Sequence, residues 1–354
     1  MLSKWPTIAF LGLMIVVLLL IPQVARPQLQ RNLQVPGVET RQAKISLRAI
    51  APAYEYGRFS FMDISLLKSG EVWAVGYDGQ DPQRMWHSAD GGDTWEVKPA
   101  PTGGFTLHKI FFADQQHGWA VGRQKIFIRT SNGGKTWEQA RLPIWMDWNQ
   151  IHFVTPSVGY VAGSTGACDR KTGNCTHGIK VLRTTDGGLH WRACYQDDSS
   201  YNIHSIATPT KEVAIIAVDG SSLLRTENGG QSWRVAGPPT PGASSVKFNP
   251  DGRGWVVGPR GSFYFSTDQG KTWQRPTGFP QSLSNCYWWD LDFADQRIGI
   301  AVGDHSALAL TSDGGATWAE YPLNVDDHLR VVRLQGRSGL VIGSKSLYRL
   351  TISD

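Results

Sequence analysis

Apolar positions along most of this chain fall in short unbroken runs, not at the three-and-four spacing of an amphipathic helix. Glu71-Val-Trp-Ala-Val-Gly76, His117-Gly-Trp-Ala-Val-Gly122, Val158-Gly-Tyr-Val-Ala-Gly163, Val213-Ala-Ile-Ile-Ala-Val218, Arg253-Gly-Trp-Val-Val-Gly258, Ile298-Gly-Ile-Ala-Val-Gly303 and Ser338-Gly-Leu-Val-Ile-Gly343 are seven versions of one segment. Each is rich in the β-branched and aromatic residues that suit a strand.

A polar motif follows six of the seven: Ser88-Ala-Asp-Gly-Gly-Asp-Thr-Trp95, Thr130-Ser-Asn-Gly-Gly-Lys-Thr-Trp137, Thr184-Thr-Asp-Gly-Gly-Leu-His-Trp191, Thr226-Glu-Asn-Gly-Gly-Gln-Ser-Trp233, Ser266-Thr-Asp-Gln-Gly-Lys-Thr-Trp273 and Thr311-Ser-Asp-Gly-Gly-Ala-Thr-Trp318. This is the Asp box. Its Asp or Asn accepts hydrogen bonds from its own turn, Gly-Gly permits positive φ, and the Trp packs between sheets. Successive box tryptophans lie 42, 54, 42, 40 and 45 residues apart, the period of a four-stranded propeller blade. The pattern predicts an all-β, seven-bladed β-propeller over 44–354. The chain ends before a seventh box, so the last blade lacks an outer strand; Lys44-Ile-Ser-Leu-Arg-Ala-Ile50 alternates like a strand and can supply it, closing the ring.

Composition agrees: 15 Trp, 39 Gly and only 18% charged residues describe aromatic sheets and tight turns. The net charge of +5 comes with no run of basic residues, which argues against nucleic acid as a partner. Residues 1–27 hold Lys4, an uncharged apolar stretch from Thr7 to Ile21, and then Pro22, Arg26 and Pro27. Such a segment exports the chain, either as a cleaved signal peptide or as a retained membrane anchor helix; no Cys follows it to accept a lipid. Residues 28–43 read as a linker. Export makes disulfides possible, and Cys168 with Cys175 are close enough in sequence to pin a loop. Free thiols, or a zinc site using His177, are the alternatives for that pair. Whether Cys194 and Cys286 meet is open. No metal or other cofactor is expected.

The boxes and their preceding strands, such as Phe112-Ala-Asp-Gln-Gln-His-Gly-Trp-Ala-Val-Gly122 before Thr130–Trp137, resemble the photosystem II stability/assembly factor family, whose repeats are of the BNR/Asp-box type. The resemblance covers about Phe59 to Asp354. It implies a thylakoid-lumenal or periplasmic propeller, held at the membrane where residues 1–27 are retained, that binds membrane protein subunits or their lumenal or periplasmic segments without catalysis. A monomer is the expected state.

Loops joining the second and third strands of a blade share a face with the loops between blades, and the boxes turn on the other face. The first face therefore carries the candidate partner-binding residues: Arg84, Arg123, Lys125, Arg260 and Lys345 as a basic rim, and Trp145, Trp148, Trp288 and Trp289 as aromatic anchors. About thirteen extra residues lie between Gly163 and Trp191 by comparison with most other blades. They bring Arg170 and Lys171 to a loop that is either a recognition element or a neutral insertion. Aligning the innermost strands puts Asp63, Lys109, Gln150, Ser205, Ser245, Asp290 and Arg330 in a ring at the channel mouth. Two rival functions remain open at this stage. A sialidase-like site resembles three arginines gripping a carboxylate with a Tyr/Glu pair and an acidic residue, and most other glycosidases need two carboxylates flanking the bond; the ring offers only Asp63 and Asp290, from the first and sixth blades, Arg330 alone is no triad, and no Phe-Arg-Ile-Pro segment opens the propeller. A lectin-like module would stack sugars on Trp148, Trp288 and Trp289.

Overall fold

The structure is a computed structural model that describes residues 43–50, 60–77, 84–165, 178–198, 202–218, 223–238 and 242–353. The export segment, nearly all of the expected linker, and Cys168, Arg170, Lys171, Cys175 and His177 lie outside the described residues. Among the described residues no helix is long and apolar enough to cross a membrane.

The first strand, β1 (Lys44–Ala49), belongs to the last blade. Blade one is β2 (Ser60–Leu66), β3 (Val72–Tyr77), β4 (Arg84–Ser88) and β5 (Glu96–Pro99), and blade two is β6 (Leu107–Phe112), β7 (Gly118–Gly122), β8 (Ile126–Thr130) and β9 (Glu138–Arg141). Blade three is β10 (Asp147–Phe153), β11 (Gly159–Thr165), β12 (Gly178–Thr184) and β13 (Arg192–Asp197); blade four is β14 (Ile203–Ala207), β15 (Ala214–Val218), β16 (Leu224–Thr226) and β17 (Arg234–Val235). Blade five has β18 (Ser245–Phe248), β19 (Gly254–Val257) and β20 (Phe263–Ser266), and blade six has β21 (Trp288–Phe293), β22 (Gly299–Gly303), β23 (Leu308–Thr311) and β24 (Ala319–Glu320). Blade seven joins β25 (Leu329–Gln335), β26 (Ser338–Gly343) and β27 (Leu347–Ser353) to β1. All pairings are antiparallel, and the molecule is a seven-bladed β-propeller.

The recurrent apolar segment is the second strand of each blade, and it is buried along nearly its whole length. Seven apolar clusters, one per blade interface, form the core. Each box Trp packs against the preceding blade: Trp137 meets Trp73 edge-on at 5.6 Å, and Trp318 meets Phe263 at 4.9 Å. The box itself is held locally. The Ser266 hydroxyl donates to Asp268 Oδ1 (2.8 Å) and accepts the Gly270 amide (2.8 Å), while Asp268 accepts the amides of Lys271 and Thr272 and the Thr272 hydroxyl. Partial burial pushes this carboxyl up, but the bonds from Thr272, Ser266 and Lys271 outweigh it and hold it at about 2. The second glycine has a further duty, because a Cβ on Gly134 would lie 2.2 Å from Trp73 and one on Gly315 would lie 2.0 Å from Trp255.

Proline explains the ragged outer strands. In blade five the outer pairing shrinks to one bridge, Phe265 with Gln274, because Pro276 follows with no N–H to offer. Blade seven has no box. There β1 runs beside β27 from Lys44 opposite Ser353 to Ala49 opposite Tyr348. The Tyr321 hydroxyl of blade six accepts the Ile45 amide (2.9 Å) and donates to its carbonyl (3.0 Å), and Arg349 donates to Gly91 O in blade one (2.9 Å). The strand expected from residues 44–50 therefore closes the ring.

Candidate functional site

The axis of the propeller is a cavity of about 280 Å³ walled by the first strands of all seven blades. Which side chains reach it is set by the register of each first strand against the second. Asp63, Lys109, Gln150, Ser205, Ser245 and Asp290 all oppose the residue just before the end of the apolar segment. In blade seven that partner, Ile342, is opposed by Val331. The alignment that gave Arg330 is therefore off by one: the turn from Gln335 to Ser338 makes this hairpin one residue shorter than the others. Arg330 lies at a β-bulge, as do Met62, His108, Asn149, His204 and Trp289 in other blades, and from there it still lines the cavity, as Trp289 and His204 do. A bulge re-aims a side chain, and Arg330 is exposed, with its guanidinium 6.0 Å from the Trp289 ring centroid.

Two residues further along each first strand lies a second ring: Ser65, Phe111, His152, Ala207, Lys247, Asp292 and Arg333. It holds the charges that sequence reasoning missed, and the signal was available as the position two residues after each first-ring residue. Arg333 donates to Asp63 Oδ1 (2.9 Å) and to Asp290 Oδ2, so blade seven clamps blades one and six. Lys109 reaches Asp63 at 3.4 Å and Ser245 donates to Asp290 at 2.7 Å, which makes one network across five blades. First-ring acceptors also tie blade to blade through backbone amides: Asp63 takes that of Ile110, Ser205 that of Val246, and Asp290 that of Val332. Burial pushes the Asp290 carboxyl up, but Arg333, Lys247 and Lys109 together hold it below the usual carboxylate range. Burial alone dominates at Lys247, lowering it, and at Asp292, raising it. His152 is driven down to about 3, mainly by burial.

This geometry bears on catalysis. A glycosidic general acid needs a raised pKa; Asp290 is shifted the other way and shares Arg333 with Asp63, and Asp292, whose carboxyl burial raises, accepts the Leu334 amide of blade seven at 2.8 Å. The three carboxylates act as staples between blades.

On the upper face, opposite the boxes, the predicted anchors divide. Trp148 and Trp288 are completely buried in inter-blade clusters and cannot serve as binding anchors. Trp145 is 58% exposed with Lys125 Nζ 4.7 Å from its ring, and Trp289 is half-buried with Tyr287 stacked on it at 4.2 Å. Arg123 and Arg260 are exposed. Lys345 is tied to the Asp326 carboxylate at 2.8 Å, which neutralises its place in the basic rim. Arg84 opens β4 on the same side and is partly covered. Three of the upper loops share a construction: two successive residues with positive φ, Gln124–Lys125, Arg260–Gly261 and His305–Ser306, whose second amide donates to a carbonyl of the next connection, at Met146, Cys286 and Asp327. Cys194 and Cys286 are both free thiols, held in different inter-blade clusters.

Comparison with known proteins adds the following. The BNR/Asp-box repeat model matches residues 264–275, the fifth box. The chain is 24% identical over 302 residues to the photosystem II assembly protein Ycf48 of Thermosynechococcus vestitus (strain NIES-2133 / IAM M-273 / BP-1), covering 73% of this chain and 85% of that one. A solved structure described as YCF48 bound to D1 peptide superposes with a TM-score of 0.64 at 20% identity, covering 88% of this chain and 97% of that one. Virginiamycin B lyase from Staphylococcus aureus, in its selenomethionine-substituted form, has the same fold at a TM-score of 0.67 and 14% identity, over 88% of this chain and 99% of that one. The resemblance to the photosystem II assembly factors carried by the Asp boxes thus extends along most of the propeller.

Proposed function

We propose that this protein is a non-catalytic scaffold that binds segments of membrane protein subunits while their complex is assembled, with photosystem II reaction-centre intermediates as the complex. One observation carries the reading: the similarity to an assembly protein covers 73% of the chain in sequence and 88% in fold. The axial charge network supports it, since its acids are consumed in holding blades together. The upper face then does the binding through Arg123, Lys125, Arg260 and Arg330 with Trp145 and Trp289, joined by Arg170 and Lys171 of the blade-three insertion loop, which lies outside the described residues. Residues 1–27 deliver a monomeric propeller to the lumenal or periplasmic side of the membrane, and Cys168–Cys175 pins that loop.

Affinity capture of the tagged protein from membranes of its native host, with mass spectrometry of what co-purifies, tests the proposal. Recovery of reaction-centre subunits supports it. Recovery of envelope proteins or glycans alone overturns the photosynthetic reading and leaves the propeller as a binding module of another kind.

A further inference from the structure

The upper loop of blade six and the connection from blade six to blade seven meet in a cluster beside Trp289 whose two histidines the scaffold reading does not use. Asp304, His305 and Ser306 form a single turn between β22 and β23, and His328 immediately precedes β25. Asp304 Oδ1 accepts the Trp289 indole N–H at 2.7 Å and lies 2.9 Å from His328 Nδ1. The His305 ring stands edge-on to that of His328, centroids 5.0 Å apart. His305 is exposed, and the His328 side chain is 43% exposed.

We propose that His305 and His328 form a two-imidazole site for a borderline divalent transition-metal ion of the zinc or copper class, with Asp304 as the group that orients His328. The inference goes beyond the scaffold function and does not depend on it. Three observations carry it. The first is the tautomer. A carboxylate can only accept, so the neutral His328 ring places its proton on Nδ1 and keeps the lone pair on Nε2, the arrangement that a histidine ligand backed by a carboxylate adopts. The second is the spacing. The ring centroids are 5.0 Å apart, so one ion held about 2.0 Å from a nitrogen of each ring requires only that the exposed His305 side chain rotate from its edge-on position. The third is preorganisation. Ser306 N–H donates to Asp327 O (2.7 Å), the Ser306 hydroxyl donates to Val325 O (2.6 Å), and Ser344 N–H donates to His328 O (3.0 Å), so the backbones carrying both rings are fixed to each other before any ligand arrives. His305, at φ 54°, is the first residue of the same paired turn found at Gln124–Lys125 and Arg260–Gly261, so the loop holds it in place whether or not an ion is bound.

Among the described residues no set of three His, Cys, Asp or Glu could hold a metal. Two imidazoles supply the protein's share, water fills the remaining positions, and imidazole nitrogen selects against magnesium and calcium.

Isothermal titration of the full chain with Zn²⁺, using Mg²⁺ as the hard-cation control, tests the site in wild type, His305→Asn and His328→Gln. Asn tolerates positive φ, so the turn survives the first change. The expected result is one Zn²⁺ per chain, with affinity falling at least about tenfold in each variant and also in Asp304→Asn, at unchanged Tm. Equal Zn²⁺ binding in wild type and both histidine variants overturns the proposal, as does no uptake by wild type below about 1 mM. Imidazole proton resonances of His305 and His328 that broaden on adding Cu²⁺ support it independently, and resonances that stay sharp count against it.

Discussion

The two faces of this propeller use sequence in opposite ways. On the lower face six Asp boxes repeat one construction, closed by hydrogen bonds within eight residues, as in Ser266 to Trp273. On the upper face the described loops differ from one another, and where they share a device it is an amide docked onto the next connection. The lower face therefore stabilises the ring, and the upper face can vary without unfolding it. Between the two faces the axial channel joins the blades through charge.

The largest expected effect separates that channel from both faces. Arg333→Leu leaves Asp63 and Asp290 buried without their shared counter-ion, and the protein should lose about 3–5 kcal/mol in urea unfolding. A loss under about 1 kcal/mol would mean that water or Lys109 takes over the role. Next come the boxes. Gly134→Ala and Gly315→Ala each combine a positive φ with a neighbouring tryptophan in the way, and should cost about 2–4 kcal/mol. Gly103→Ala, at φ 62° with nothing within 4 Å, should cost only about 1 kcal/mol. Equal losses at all three would deny the glycines their inter-blade duty.

Acid should weaken the lower face first. Asp186 and Asp268 are held at about 2 in the folded state, below the unfolded value of about 3.9. Their contribution is complete above that unfolded value and disappears as pH falls toward about 2. Urea midpoints should drop over that window, and the slope should flatten in Asp186→Asn with Asp268→Asn; an unchanged slope would exclude the boxes as its source. The smallest effect on stability belongs to the upper face. Arg123→Glu with Arg260→Glu should stay within about 0.5 kcal/mol of wild type while partner capture falls, and undiminished capture would remove these arginines from the binding surface.

How much was legible follows the same division. The box is readable because its donors and acceptors lie a few residues apart, so Asp268 and Thr272 announce their own geometry. The blade count and the closing strand at Lys44–Ala49 follow from seven apolar segments and six boxes. Trp148 and Trp288 looked identical in kind to Trp145 and Trp289 in the chain, and only packing separated two core residues from two that reach solvent. Spacing along the chain does not reveal that the blade-seven hairpin is one residue shorter, so Val331 rather than Arg330 takes the ring register, and Arg330 meets the cavity from a bulge.

The propeller is written in the chain, since repeated local hydrogen bonding and apolar periodicity need no knowledge of distant residues. Only the tertiary structure decided that Arg333 meets Asp63 and Asp290 and that His305 faces His328. Those contacts join residues on different blades, where a register shift of one position turns a side chain from the axis to the mouth.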